Sequence, residues 1–138
     1  MACASVLIVD DDEIVRSVCR LALVEKYEIY EAEDGEAGWK LALAKRPDLV
    51  LTDMVMPKMD GLTLAERIKA HPALKQTLVL MMTGATEGEE LPNGFWRMGT
   101  AADEFLQKPL DVTVLRATVH GMFEKRIRPQ PTPRGGFM

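Results

Sequence analysis

Three short apolar runs, Val6-Leu7-Ile8-Val9, Leu49-Val50-Leu51 and Leu78 to Met82, each stop abruptly at polar residues. The stops are Asp10-Asp11-Asp12, Thr52-Asp53 and Thr83-Gly84. A strand with water on one face alternates apolar and polar residues, whereas an unbroken apolar run suits a strand covered on both faces. Helical patterns lie between the runs. Glu13 to Glu25 carries Ile14, Val18, Leu21 and Val24 on one stripe, read as the face of an amphipathic helix. Glu36 to Lys45 carries Trp39, Ala42 and Leu43, and a third helix carries Leu64, Ala65 and Ile68. Tyr27 to Glu31 and Glu104 to Gln107 are shorter strand candidates. A last helix runs from about Asp111 with Val112, Leu115, Val119 and Met122 apolar. Between Glu87 and Met98 a further helix is expected, interrupted at Pro92-Asn93-Gly94.

Strands alternating with helices predict a parallel sheet with helices on both faces. Right-handed crossovers leave few topologies, among them the flavodoxin-like strand order 2-1-3-4-5. A chain of 138 residues has the size of one domain. With 47% hydrophobic and 28% charged residues, it reads as soluble and globular. The net charge of −4 gives no reason to expect a nucleic-acid partner. No apolar run spans a bilayer and no signal peptide is evident, so no membrane partner and a cytoplasmic location are expected. Cys3 and Cys19 are expected as reduced thiols. Residues 1–126 are read as one domain. Residues 127–138, basic and rich in proline and glycine, are read as a disordered tail.

In a parallel sheet the strand ends share one edge. Asp10, Asp11, Asp53, Thr83 and Lys108 can therefore converge on one cleft. Three neighbouring carboxylates repel and require a counter-charge. A hard divalent cation with oxygen ligands, such as Mg²⁺, answers that requirement. With Lys108 as a second cation and Thr83 as a hydroxyl donor, the set contains what phosphoryl transfer to a carboxylate needs. Asp12 is read as the N-cap of the following helix, and Asp60-Gly61 as turn and cap chemistry with no direct part in transfer. The methionines are read as core filler. His71 and His120 are not read as ligands.

The segments VLIVDD (Val6–Asp11), PDLVLTDMVMPKMDGL (Pro47–Leu62), LMMTG (Leu80–Gly84) and FLQKP (Phe105–Pro109) resemble the response-regulator receiver domains, over the whole chain up to the basic tail. The resemblance implies the flavodoxin-like fold with order 2-1-3-4-5. It implies Asp53 as phosphoacceptor and Asp11 as direct Mg²⁺ ligand, with Asp10 acting largely through water. It further implies the Val55 carbonyl as a metal ligand, Lys108 and Thr83 as contacts to the phosphoryl group, and Thr83 with Phe105 as the switch. The Lys108-Pro109 bond is expected to be cis, aiming the lysine into the cleft. The implied protein is a stand-alone receiver and a self-acting phosphoacceptor rather than an enzyme with a free substrate. It would be loaded by a histidine kinase or histidine phosphotransfer protein and read by a downstream protein. The alternative is a phosphorylation-independent interaction module. Phe105 lacks the hydroxyl of a tyrosine, the segment from Thr83 to Lys108 looks slightly long, and no output domain is expected after the last helix.

Overall fold

The computed structural model describes residues 3–84 and 101–127. In chain order the elements are β1 (Ser5–Val9), α1 (Glu13–Leu23), β2 (Glu28–Ala32), α2 (Gly35–Lys45), β3 (Leu49–Asp53), α3 (Gly61–Ala70), β4 (Leu78–Thr83), β5 (Glu104–Gln107) and α4 (Val112–Ile127). The five strands form one parallel sheet in the order β2-β1-β3-β4-β5. This is the flavodoxin-like doubly wound arrangement. The interrupted helix expected between Glu87 and Met98 and the tail reading lie outside the described residues. α4 reaches Ile127, the first residue assigned to the tail.

The unbroken apolar runs have the cause assigned to them. In the pleat, alternate side chains point to opposite faces. Val6, Ile8, Leu49, Leu51, Leu80 and Met82 enter one core beneath α1 and α4. Leu7, Val9, Val50, Val79 and Met81 enter a second core beneath α2 and α3. Full burial of such a side chain contributes about 1.5–3 kcal/mol, so both faces of the central strands stabilise the fold. Met81 and Met82 are fully buried on opposite faces, and Met54, Met56 and Met59 pack against the second core, consistent with methionines as filler.

All four described helices start on aspartate caps; for α4 the Asp111 carboxylate accepts from the Val114 N–H. The carboxylates of Asp12, Asp34 and Asp60 accept hydrogen bonds from the N–H groups of Ile14, Ala37 and Thr63. Each satisfies a donor that the first helical turn leaves unpaired, a contribution of about 1 kcal/mol.

The apolar stripe chosen for α1 faces the wrong way. Ile14, Leu21 and Val24 are 74%, 66% and 51% exposed. The buried side consists of Cys19, Ala22 and Leu23, with Val15 packed beside them. α1 carries two apolar stripes, and the sheet takes the one with the small residues, which lets the helix sit close. α1 also ends at Leu23 rather than Glu25, and β2 begins at Glu28 rather than Tyr27. Tyr27 instead stacks on Phe123 of α4, with ring centroids 5.4 Å apart. In α2, Leu43 is 37% exposed, whereas Ala42 is buried and Trp39 packs against the second core. Cys3 is exposed and Cys19 buried, both as free thiols.

Candidate phosphoacceptor site

The sheet delivers its polar stops to one edge. The N–H of Asp10 makes the last bond of the β1–β2 ladder, 3.1 Å to the Ala32 carbonyl. Asp53 closes β3 opposite Met82, and Thr83 closes β4 opposite Gln107. The Lys108 N–H then donates to the Thr83 carbonyl at 2.8 Å, which fixes where β5 leaves the sheet. Carboxylate oxygens of Asp10, Asp11 and Asp53 all lie within 4.8 Å of one another.

The three acids are not equivalent. Asp10 is fully buried, and both its oxygens are engaged. Oδ1 accepts from the Asp12 N–H at 2.8 Å and Oδ2 from Lys108 Nζ at 3.0 Å. Asp11 is exposed, and among the described residues its carboxylate has no hydrogen-bond partner. Asp53 is buried, and its Oδ1 accepts from the Met54 N–H at 3.0 Å and lies 3.3 Å from Lys108 Nζ. Its Oδ2 has no partner among the described residues.

The electrostatics follow from this crowding. Burial, reinforced by the charge of Asp10, raises the Asp53 carboxyl above its ordinary pKa, against the opposing pull of Lys108 and the Met54 N–H. Burial acts to lower the pKa of Lys108. Its hydrogen bond to Asp10 and the charges of Asp53 and Asp10 outweigh that, and the ammonium is held above its ordinary value. Beneath the site, burial and the nearby Asp10 charge push the Cys19 thiol up to about 12, which keeps it protonated and inert.

The structure thus brings Asp10, Asp11, Asp53 and Lys108 into contact or near-contact. Thr83 lies at the same edge, its hydroxyl turned to the Leu106 carbonyl of β5 at 3.4 Å. Phe105 is half-buried and packs on the α2–α3 core. The Val55 side chain, two residues past Asp53, is 69% exposed. The Lys108-Pro109 bond is cis. His71 stacks edge-on against Trp39 and accepts the Ala73 N–H on Nδ1, while His120 faces Glu124. Neither belongs to an acid or ligand cluster among the described residues.

Two contributors went unrecognised in the sequence. Gly61 was read as turn chemistry alone, but a Cβ there would collide with the main-chain oxygen of Asp53. Its N–H closes the loop on the Met54 carbonyl at 2.8 Å. The close approach is the reason for glycine, and the Asp-Gly pair was its only signal. Arg16 donates from Nη1 to the Asp10 carbonyl at 2.6 Å. A helical arginine is ordinarily a surface residue, so nothing in the pattern marked it.

A family model described as the response regulator receiver domain matches residues 6–120. The chain belongs to the response regulator receiver domain family. The chain is 32% identical over 124 residues to the DNA-binding dual master transcriptional regulator RpaA of Synechocystis, an overlap covering 89% of this chain and 50% of that one. It is 31% identical over 125 residues to histidine kinase P4 of Formosa agariphila, covering 91% of this chain and 9% of the kinase. This receiver therefore spans half or less of the length of these relatives. Among solved structures it is similar to the chemotaxis response regulator CheY4 of Vibrio cholerae, with a TM-score of 0.75, 27% identity and coverage of 87% of this chain and 98% of that one. It is also similar to the receiver domain of AraT, a response regulator from Geobacillus stearothermophilus, with a TM-score of 0.74, 33% identity and coverage of 89% and 95%. The acid cluster of this receiver is one that can hold a metal ion, and no helix among the described residues is long and apolar enough to cross a membrane.

Proposed function

We propose that this receiver accepts a phosphoryl group on Asp53 from a phosphohistidine-bearing protein, either a histidine kinase or a histidine phosphotransfer protein. The observation that carries the reading is the state of the Asp53 carboxylate. One oxygen is held by the Met54 N–H and Lys108, and the other is without a partner among the described residues. That free Oδ2 attacks phosphorus, the new O–P bond forms as the N–P bond breaks, and the departing imidazole nitrogen takes a proton from solvent.

The all-oxygen cluster, with acids within 4.8 Å, fits a small hard cation, and Mg²⁺ is the ion proposed. Asp11, with its unengaged carboxylate, Asp53 and the Val55 carbonyl would hold it directly, and Asp10, with both oxygens already bonded, through water. Bound there, Mg²⁺ supplies positive charge to the acids and to the phosphoryl oxygens. Lys108 sits where it can follow the new dianion, and among the described residues the Thr83 hydroxyl has a long 3.4 Å bond to give up in turning toward it. Movement of Thr83 would be passed to Phe105 by packing, and a downstream protein would read the altered surface. A protein donor is favoured by α1, which starts at the acid cluster and presents Ile14 and Leu21 to solvent. The receiver acts on itself as phosphoacceptor and turns over no free substrate. Residues 1–126 form the unit proposed to do this.

Incubation with phosphoramidate, a small donor with the same P–N bond, tests the reading. The expected result is a gain of one phosphoryl group, lost on treatment with hydroxylamine as acyl phosphates are. Absence of any gain in the presence of Mg²⁺ would favour a phosphorylation-independent module.

A further inference from the structure

The main chain at the exit of β1 poses a problem that one side chain solves. Asp10 is fully buried, and its N–H makes the last bond of the β1–β2 ladder. Its carbonyl lies past the end of that ladder, and a buried carbonyl without a partner is costly. Arg16 fills the gap with a charge-assisted bond at 2.6 Å. The guanidinium does not hang free. Its Nε is 3.2 Å from Oε1 of Glu31, whose Oε2 is 2.7 Å from Arg20 Nη1. Glu31 stands on β2 beside Ile8 of β1, so the clamp is anchored to the sheet itself. The Arg16 side chain is only 15% exposed.

The consequence falls on Asp11. The peptide between Asp10 and Asp11 is planar, so gripping the Asp10 oxygen also fixes the plane in which the Asp11 nitrogen lies. On the far side, Asp10 Oδ1 holds the Asp12 N–H. Asp11 is suspended between two held points, and among the described residues its carboxylate has no bond of its own. The main chain therefore sets where its Cα–Cβ bond stands, and with it the rotamers that reach the cluster.

We infer that Arg16, clamped by Glu31, is a positioning residue that orients the Asp10–Asp11 peptide and thereby sets the affinity of the acid cluster for Mg²⁺. The inference rests on the reading of that cluster as a Mg²⁺ site. It makes a prediction of opposite sign to simple electrostatics. Arg16 is a positive charge near a cation site, so deleting it should tighten Mg²⁺ binding if charge were its whole role. If it orients a ligand, deletion weakens binding, by about tenfold, the lower end of the range for groups that hold metal ligands in place.

The test is isothermal titration of Mg²⁺ into the wild type, Arg16→Ala and Arg16→Lys, with folding checked by circular dichroism. Arg16→Ala is expected to bind about tenfold more weakly. Arg16→Lys keeps the charge but offers one nitrogen where Arg16 uses two to span Asp10 and Glu31, so it is expected to fall between the two. Unchanged or tighter binding by Arg16→Ala would overturn the inference. Should Arg16→Ala not fold, wild-type affinity in Arg16→Lys would overturn it equally. A wild type that binds no Mg²⁺ would instead overturn the metal-site reading itself.

Discussion

Asp53 is destabilising in its charged form before any metal binds. Its folded pKa is raised above the ordinary 3.8, so the folded state holds the proton more tightly than the unfolded chain. Stability therefore falls as pH rises from about 3.8 through the raised folded value, and the penalty persists at neutral pH. Asp53→Asn removes the charge at nearly constant shape. Without divalent cations it is expected to melt at a higher temperature than the wild type at pH 7, with the gap closing below the ordinary pKa. A lower midpoint at pH 7 would contradict the description of the site. The neighbouring acids divide differently. The Asp12 carboxylate caps α1 and lies outside the acid cluster, and only its N–H reaches Asp10, whereas the Asp11 carboxylate belongs to the cluster and has no partner among the described residues. Asp12→Ala is expected to cost about 1 kcal/mol of stability with little effect on Mg²⁺ affinity. Asp11→Ala should do the reverse. Equal losses of affinity, measured by titration, would contradict this division. The acids, Lys108 and Thr83 were legible as residues because each interrupts or closes an apolar run. Arg16 and Gly61 were not, because what makes them matter is a main-chain oxygen, and main-chain positions leave little trace in side-chain patterns.

At the scale of elements, the same contrast separates strands from helices. β1, β3 and β4 were readable because burial on both faces forces a continuous apolar run, a pattern with no competing phase. α1 was misphased because Ile14, Val18 and Leu21 are spaced as well for burial as Val15, Cys19 and Ala22. Which stripe the sheet buries is settled by the assembled layers, and it is the one that holds Cys19 and Ala22. The choice is testable. Leu21, at 66% exposure, should tolerate replacement by serine within about 0.5 kcal/mol. Leu23, at 1% exposure, should cost about 2–5 kcal/mol on change to alanine. Urea denaturation of the two variants measures both, and comparable losses would mean that α1 packs on its other face. The exposed stripe also gives Leu21→Ser a second use. A variant with intact stability and impaired transfer from a protein donor would mark that face as the docking surface.

For the whole molecule, the fold explains why the candidate site lies at one edge of the sheet. Parallel strands in the order β2-β1-β3-β4-β5 bring the exits of β1, β3, β4 and β5 together, and each exit delivers one class of group: acids, the proposed acceptor Asp53, a hydroxyl, a cation. Similarity to CheY4 and AraT extends over nearly all of those chains, whereas only half or less of the curated relatives is covered. The shared part is the receiver. Peptide-level mass spectrometry tests whether this receiver is loaded at Asp53 with the help of Mg²⁺, as proposed. The protein is incubated with phosphoramidate, with Mg²⁺ or with excess chelator, beside Asp53→Asn. The account predicts a phosphoryl group on the peptide containing Asp53, strongly reduced by chelation and absent from the variant. A label on another residue, or one that persists in Asp53→Asn, would contradict it.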